Sequence, residues 1–164
     1  MTTTKPPSKV SRSQSRAMSL YPMGENLFVS ADTRRFTVEQ KLNAFLSRNI
    51  RTVVNMTMKC TDADITNMTL IDYMTLRISD NFKELPEKDE RLLLDAADDL
   101  HQRRDQHGVL IHCYGGENRS CLLAGLVMAK DGMPGPDIVQ RILKVRPTAL
   151  YNQPFRAYLE AYHA

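Results

Sequence analysis

Hydrophobic positions change spacing along this chain, with short apolar runs giving way to helical stripes and back again. Leu27-Phe28-Val29 and the stretch from Ile50 to Met56 are apolar with few breakers, and both predict buried strands. Between them Thr37 can cap a helix whose Val38, Leu42, Phe45 and Leu46 fall on one face. Asp62 to Thr69 predicts a short helix, and Tyr73 to Ile78 a further strand. Pro86 opens a helix to about Gln106, with Leu92, Leu93, Ala96, Ala97 and Leu100 as its apolar side. Gly108 ends that helix, and Val109-Leu110-Ile111 reads as a short, fully apolar strand. An apolar helix follows from Arg119 to about Lys130, then a turn holding Gly132, Pro134, Gly135 and Pro136. Asp137 to Val145 makes a helix stopped by Pro147, and Asn152 to Tyr162 makes the last one. Strands alternating with helices predict an α/β fold, a mostly parallel central sheet flanked by helices.

This pattern is missing before Tyr21. Residues 1–20 are rich in Ser and Thr, carry Lys5, Lys9, Arg12 and Arg16 with no acid, and contain Pro6-Pro7. Such a segment buries too little surface to offset its ordering entropy, so it reads as a flexible tail. Its composition also fits a transit peptide, but Pro6-Pro7 interrupts the amphipathic helix that import would need. Residues 21–164 form the single folded domain, which the length of 164 residues and 42% hydrophobic content support. The net charge of +3 belongs to the tail, and the remainder is close to neutral, with no basic track for nucleic acid. The longest apolar stretch, Leu122 to Ala129, is far short of the roughly 20 residues a membrane span requires. Cys60, Cys113 and Cys121 lack paired spacing, which points to a reducing, intracellular compartment, cytoplasmic or nuclear. The oligomeric state is not encoded in any feature of the chain.

The candidate chemistry lies in His112-Cys113-Tyr114-Gly115-Gly116-Glu117-Asn118-Arg119-Ser120. Here a strand runs into a loop with two adjacent glycines, and the loop runs into an apolar helix. Gly115 and Gly116 let the backbone N–H groups of Tyr114 to Arg119 turn inward as an anion-binding nest at the helix N-terminus. Cys113 would sit at the bottom, its thiolate favoured by those dipoles and by Arg119. A planar guanidinium can grip two phosphate oxygens at once, and the Ser120 hydroxyl is placed to hydrogen-bond the sulfur. Alone, Cys113 would read as a buried core cysteine; the whole loop argues otherwise.

His-Cys-x5-Arg-Ser resembles the signature of the cysteine-dependent protein tyrosine phosphatase superfamily, and the short chain resembles its dual-specificity branch. The segment HCYGGENRSCLL is most similar to the loops of the cyclin-dependent kinase-associated phosphatase and of the poxvirus dual-specificity phosphatases. The likeness extends over about residues 21–162, including an opening Tyr21-to-Ala31 strand, Val53-Val54-Asn55, and Arg146-Pro147 with Asn152 and Phe155. It implies a dual-specificity phosphatase-like fold and hydrolysis of phosphotyrosine and phosphoserine/threonine through a phosphocysteine intermediate, without metal or cofactor. It also implies a general acid on a loop after a strand ending in Ile or Val. Asp80, after Ile78-Ser79 and 33 residues before Cys113, fits, unless it only turns the chain with Asn81. Asp72 and Asp89 are weaker candidates, one placed in a strand and the other in a helix. His112 would orient the loop or be a satisfied core histidine. Asn55 would brace the loop from the neighbouring strand, and Asn152 would position water or the loop, or simply cap the last helix.

Two departures from the family pattern matter. Cys121 stands where many relatives have Gly, and Glu117 puts an acid on a loop rim that has no Lys, which disfavours a phosphoinositide substrate. A segment matching the phosphotyrosine-recognition loop of the larger tyrosine-specific enzymes is missing, which implies a shallow pocket. The expected partner is therefore a phosphorylated protein, with no membrane and no nucleic acid. An RNA 5′-triphosphatase of the same fold is the alternative, weakened by the presence of Asp80; a non-catalytic phospho-binding module is weakened by the presence of Cys113, Arg119 and Asp80 together. The His and Cys residues offer no metal-ligand spacing. Cys60 could form a protective disulfide with Cys113 under oxidation.

Overall fold

Among the described residues five strands form one sheet, in the spatial order Tyr21–Gly24, Leu27–Ser30, Gly108–His112, Ile50–Asn55, Asp72–Thr75. The structure is a computed structural model that describes residues 17–59, 63–66 and 70–163. The tail up to residue 16, and Cys60 with its expected pairing to Cys113, lie outside these residues. β1 (Tyr21–Gly24) and β2 (Leu27–Ser30) pair antiparallel, whereas β2, β5 (Gly108–His112), β3 (Ile50–Asn55) and β4 (Asp72–Thr75) run parallel. The central strand β5 is buried along its whole length. Its side chains alternate between faces: Val109 and Ile111 join the larger core, and Leu110 joins the smaller one with Val53, Phe45 and Ile50.

The larger core is built around α4 (Arg119–Ala129), which is apolar on every side because α3 (Glu87–Arg104), α5 (Gly135–Val145), α6 (Gln153–Ala161), β2 and β5 all pack on it. The other face is covered by α1 (Val38–Leu46), while α2 (Ala63–Thr66) packs on β4. Thr37 caps α1 in a full capping box with Gln40. The fold is the expected α/β sheet flanked by helices.

Several local expectations are corrected. The single opening strand is a hairpin, turned at Glu25-Asn26 with Asn26 at φ 53°, a conformation Asn tolerates better than most residues. β4 stops at Thr75 instead of Ile78, because its only neighbour β3 ends at the paired Asn55. Leu92 and Leu46 are exposed: the buried line of α3 is Leu93, Ala97, Leu100 and Arg104, and in α1 Lys41 and Phe45 take the inner face. Met18 and Leu20 are buried in the smaller core, so packed chain begins before Tyr21.

Candidate active site

The carboxyl ends of β3 and β5 meet side by side, Asn55 opposite His112, and the loop from Cys113 to Asn118 rises from that edge into α4. Gly116 is the hinge of the loop. Its φ of +67° favours glycine, and a Cβ there would meet the backbone of Ser30 and Ala31 at 2.6 Å. The Tyr114 carbonyl is held by the Asp32 N–H at 3.1 Å, and the residue is 69% exposed. Cys113 is buried, with Sγ 3.2 Å from Ser120 Oγ. Asp80, Cys113, Tyr114, Gly115, Glu117, Asn118, Arg119 and Tyr151 line one cavity of about 410 Å³.

Arg119 opens α4 and turns back across the loop, Nη1 donating to the Met56 carbonyl at 2.9 Å. Its Nε is buried with no hydrogen-bond partner among the described residues. A buried donor left so costs about 1–3 kcal/mol, which an anion in the cavity would relieve. Asn118 is the N-cap of α4, yet its side chain makes no capping bond. The first-turn N–H groups of the helix are therefore left for an anion.

Asp80 reaches this cavity from the loop after β4, anchored by the buried Ile78. Its two carboxylate oxygens accept from Asn118 Nδ2 at 3.0 Å and from Asn152 Nδ2 at 2.6 Å. The other two acids stand elsewhere and line no part of the cavity: Asp72 starts β4 and pairs with Arg103, and Asp89 lies in the first turn of α3.

His112 is fully buried at the end of β5, its carbonyl accepting the Met56 N–H at 2.8 Å. Asn55 braces a different loop from the one expected. Its Oδ1 accepts from the Thr57 N–H and hydroxyl at 2.8 and 2.7 Å, and its Nδ2 donates to the Lys59 carbonyl, because the chain turns immediately after β3. Glu117, the acid of the loop rim, accepts from Arg146 Nη2 at 3.2 Å and from the Thr148 hydroxyl at 2.6 Å. Burial pushes the Cys121 thiol up, which keeps it protonated.

A family model described as the dual specificity phosphatase catalytic domain matches residues 37–164. The chain belongs to the dual specificity phosphatase family. No curated protein sequence matches it. Among solved structures, a mouse dual specificity phosphatase complexed with zinc tungstate is 18% identical, with a TM-score of 0.71, covering 94% of this chain and 92% of that one. The kinase-associated phosphatase with its catalytic cysteine changed to serine is 16% identical at a TM-score of 0.66, covering 92% and 99%. The core catalytic domain of an S. cerevisiae PP-IP phosphatase is 17% identical at 0.65, covering 87% and 84%. At these identities the likeness is one of fold.

Within this dual specificity phosphatase domain, sequence reasoning missed what Arg146 does. Its guanidinium donates to the carbonyls of Gly115 and Gly116 at 3.1 and 3.4 Å while stacking over Tyr21, 4.4 Å from the ring centroid. Holding those carbonyls outward turns the opposing N–H groups toward the cavity. The Arg146-Pro147 pair was visible in the sequence, but its partners lie about 30 residues back and carry no local signal. At the cavity mouth Tyr151 packs on Phe82, centroids 5.7 Å apart. Partial burial and the nearby Asp80 and Glu117 carboxylates push the Tyr151 phenol up, so it stays neutral.

Proposed function

We propose that this protein hydrolyses phosphomonoesters of protein tyrosine, serine and threonine through a phosphocysteine intermediate. The observation that carries the reading is the convergence of Cys113, Arg119 and Asp80 on one cavity, with Ser120 Oγ 3.2 Å from the sulfur. Cys113 as thiolate attacks phosphorus, and the bond from phosphorus to the ester oxygen breaks. Asp80 gives that oxygen its proton, so the alcohol leaves neutral. Arg119 and the loop N–H groups hold the three equatorial oxygens while charge redistributes. Water then attacks the phosphocysteine, its proton passing to Asp80. The P–S bond breaks, the Ser120 hydroxyl stabilises the departing thiolate, and inorganic phosphate is released.

The cavity lining favours a single phosphate on a protein side chain over a polyphosphate. Among the described residues Arg119 is the one cation in the lining, facing the acids Asp80 and Glu117 and the rings of Tyr114 and Tyr151. Arg146 is already committed to loop carbonyls and Glu117. Triphosphate-ended RNA or an inositol pyrophosphate would bring several more charges than this wall can neutralise. No described helix is long and apolar enough to cross a membrane, and an intracellular phosphoprotein remains the partner we propose.

A substrate panel in the presence of chelator tests this. Phosphotyrosine and phosphothreonine peptides are expected to release phosphate, with vanadate inhibiting. A clear preference for phosphoinositides, inositol pyrophosphate or triphosphate-ended RNA would contradict the substrate class, and loss of activity in chelator would contradict the mechanism.

A further inference from the structure

Asp80 stands on a loop whose Ser79, Asn81, Phe82, Lys83 and Glu84 are all exposed; Leu76, Ile78 and Leu85 hold its ends on the core, and Phe82 packs on Tyr151. What fixes the carboxyl is a pair of buried amides from two other elements. Asn118, 2% exposed, donates Nδ2 to Oδ2 at 3.0 Å; Asn152, fully buried, donates Nδ2 to Oδ1 at 2.6 Å.

The orientation of both amides is determined by backbone groups. Asn118 Oδ1 accepts the Asn152 backbone N–H at 3.1 Å, and Asn152 Oδ1 accepts the Phe155 backbone N–H at 3.3 Å. A backbone N–H can only donate, so each amide oxygen must face it and each NH2 must face Asp80. With one donor on each oxygen the carboxyl plane is set. Each oxygen keeps a further lone pair for the proton being transferred.

We propose that Asn118 and Asn152 are positioning residues that hold the Asp80 carboxyl for proton transfer to the leaving oxygen, Asn152 doing so in addition to capping α6. The proposal rests on the reading of Asp80 as general acid. It ties three separate elements, the loop after β4 and the N-termini of α4 and α6, to one proton. It also accounts for Asn118 standing at an N-cap position without capping.

The test uses substitutions that keep each oxygen acceptor and remove only the donor. Asn152→Asp retains an oxygen for the Phe155 N–H and is itself a good N-cap. Asn118→Asp retains an oxygen for the Asn152 N–H. Each sets an acceptor against Asp80 where a donor stood. Turnover is measured on phenyl phosphate, whose leaving group needs the proton, and on p-nitrophenyl phosphate, whose leaving group needs it far less. We expect the loss on the first to exceed the loss on the second by about 10-fold or more for each substitution. In an Asp80→Asn background neither substitution should widen the difference between the esters. Equal losses on both esters, or none, would overturn the positioning role and leave Asn152 a cap alone. Wild-type protein that turns over neither ester would instead overturn the phosphatase reading, and with it the role of Asp80.

Discussion

Arg119 illustrates how much of the site depends on the shape of one side chain. One edge of its guanidinium is fixed on the Met56 carbonyl at 2.9 Å, and its buried Nε has no partner among the described residues. A planar fork held by one edge presents the other donors in a fixed direction, which the tetrahedral ammonium of Lys cannot reproduce. Arg119→Lys keeps the charge and loses that geometry. Turnover of p-nitrophenyl phosphate should fall about 10²- to 10³-fold, and vanadate should bind more weakly in parallel. Unchanged vanadate affinity, read from inhibition, would show that Arg119 does not hold the phosphoryl oxygens. Residues of this kind were legible in the sequence because Cys113, Arg119 and Ser120 share one contiguous motif. The side-chain partners of Arg146 and of the two asparagines were not, since they lie 30 to 72 positions away and only the fold brings them together. Asn118 was read as part of the phosphate loop, and its side chain in fact faces Asp80.

At the scale of elements, the corner where α3 returns into β5 holds a titratable joint. His107 Nε2 lies 2.9 Å from Thr52 Oγ1 on β3. Partial burial, with the cations Arg103 and Arg51 nearby, lowers His107 below its ordinary 6.5, while Asp72 opposes them. The unfolded chain therefore takes up this proton more readily than the folded one. The contribution of His107 to stability is present above about pH 6.5 and is lost as pH falls below it. Urea unfolding of the wild type at pH 7.5 and 5.5 should show a lower midpoint in acid, and His107→Gln should remove part of that drop. An identical pH dependence in the variant would contradict the assignment. Helices were more legible than strands at this scale: Thr37, Pro86 and Asn152 mark starts that the structure retains. Strand ends were less so, because β4 stops where its partner stops, and that depends on pairing and not on its own residues.

Across the whole molecule, the alternation of apolar runs and helical stripes was enough to predict a parallel α/β sheet, but the strand order was beyond it. Placing β5 between β2 and β3 puts Cys113 at the middle of the sheet, flanked by the loops that follow its two neighbours. Ligand sites form where parallel strands end side by side, and here that edge also faces the N-terminus of the most buried helix. The sheet thus delivers Cys113 with its loop, and Asp80 from a distant part of the chain, to one cavity. The central claim is that phosphate passes through Cys113. Its most direct test is rapid acid quench during turnover of p-nitrophenyl phosphate, followed by peptide mass spectrometry, with Cys113→Ser as control. The account predicts one phosphoryl group on the peptide holding Cys113, localised to sulfur, and neither adduct nor turnover in the variant. Phosphoryl on another residue, or turnover retained in Cys113→Ser, would contradict it.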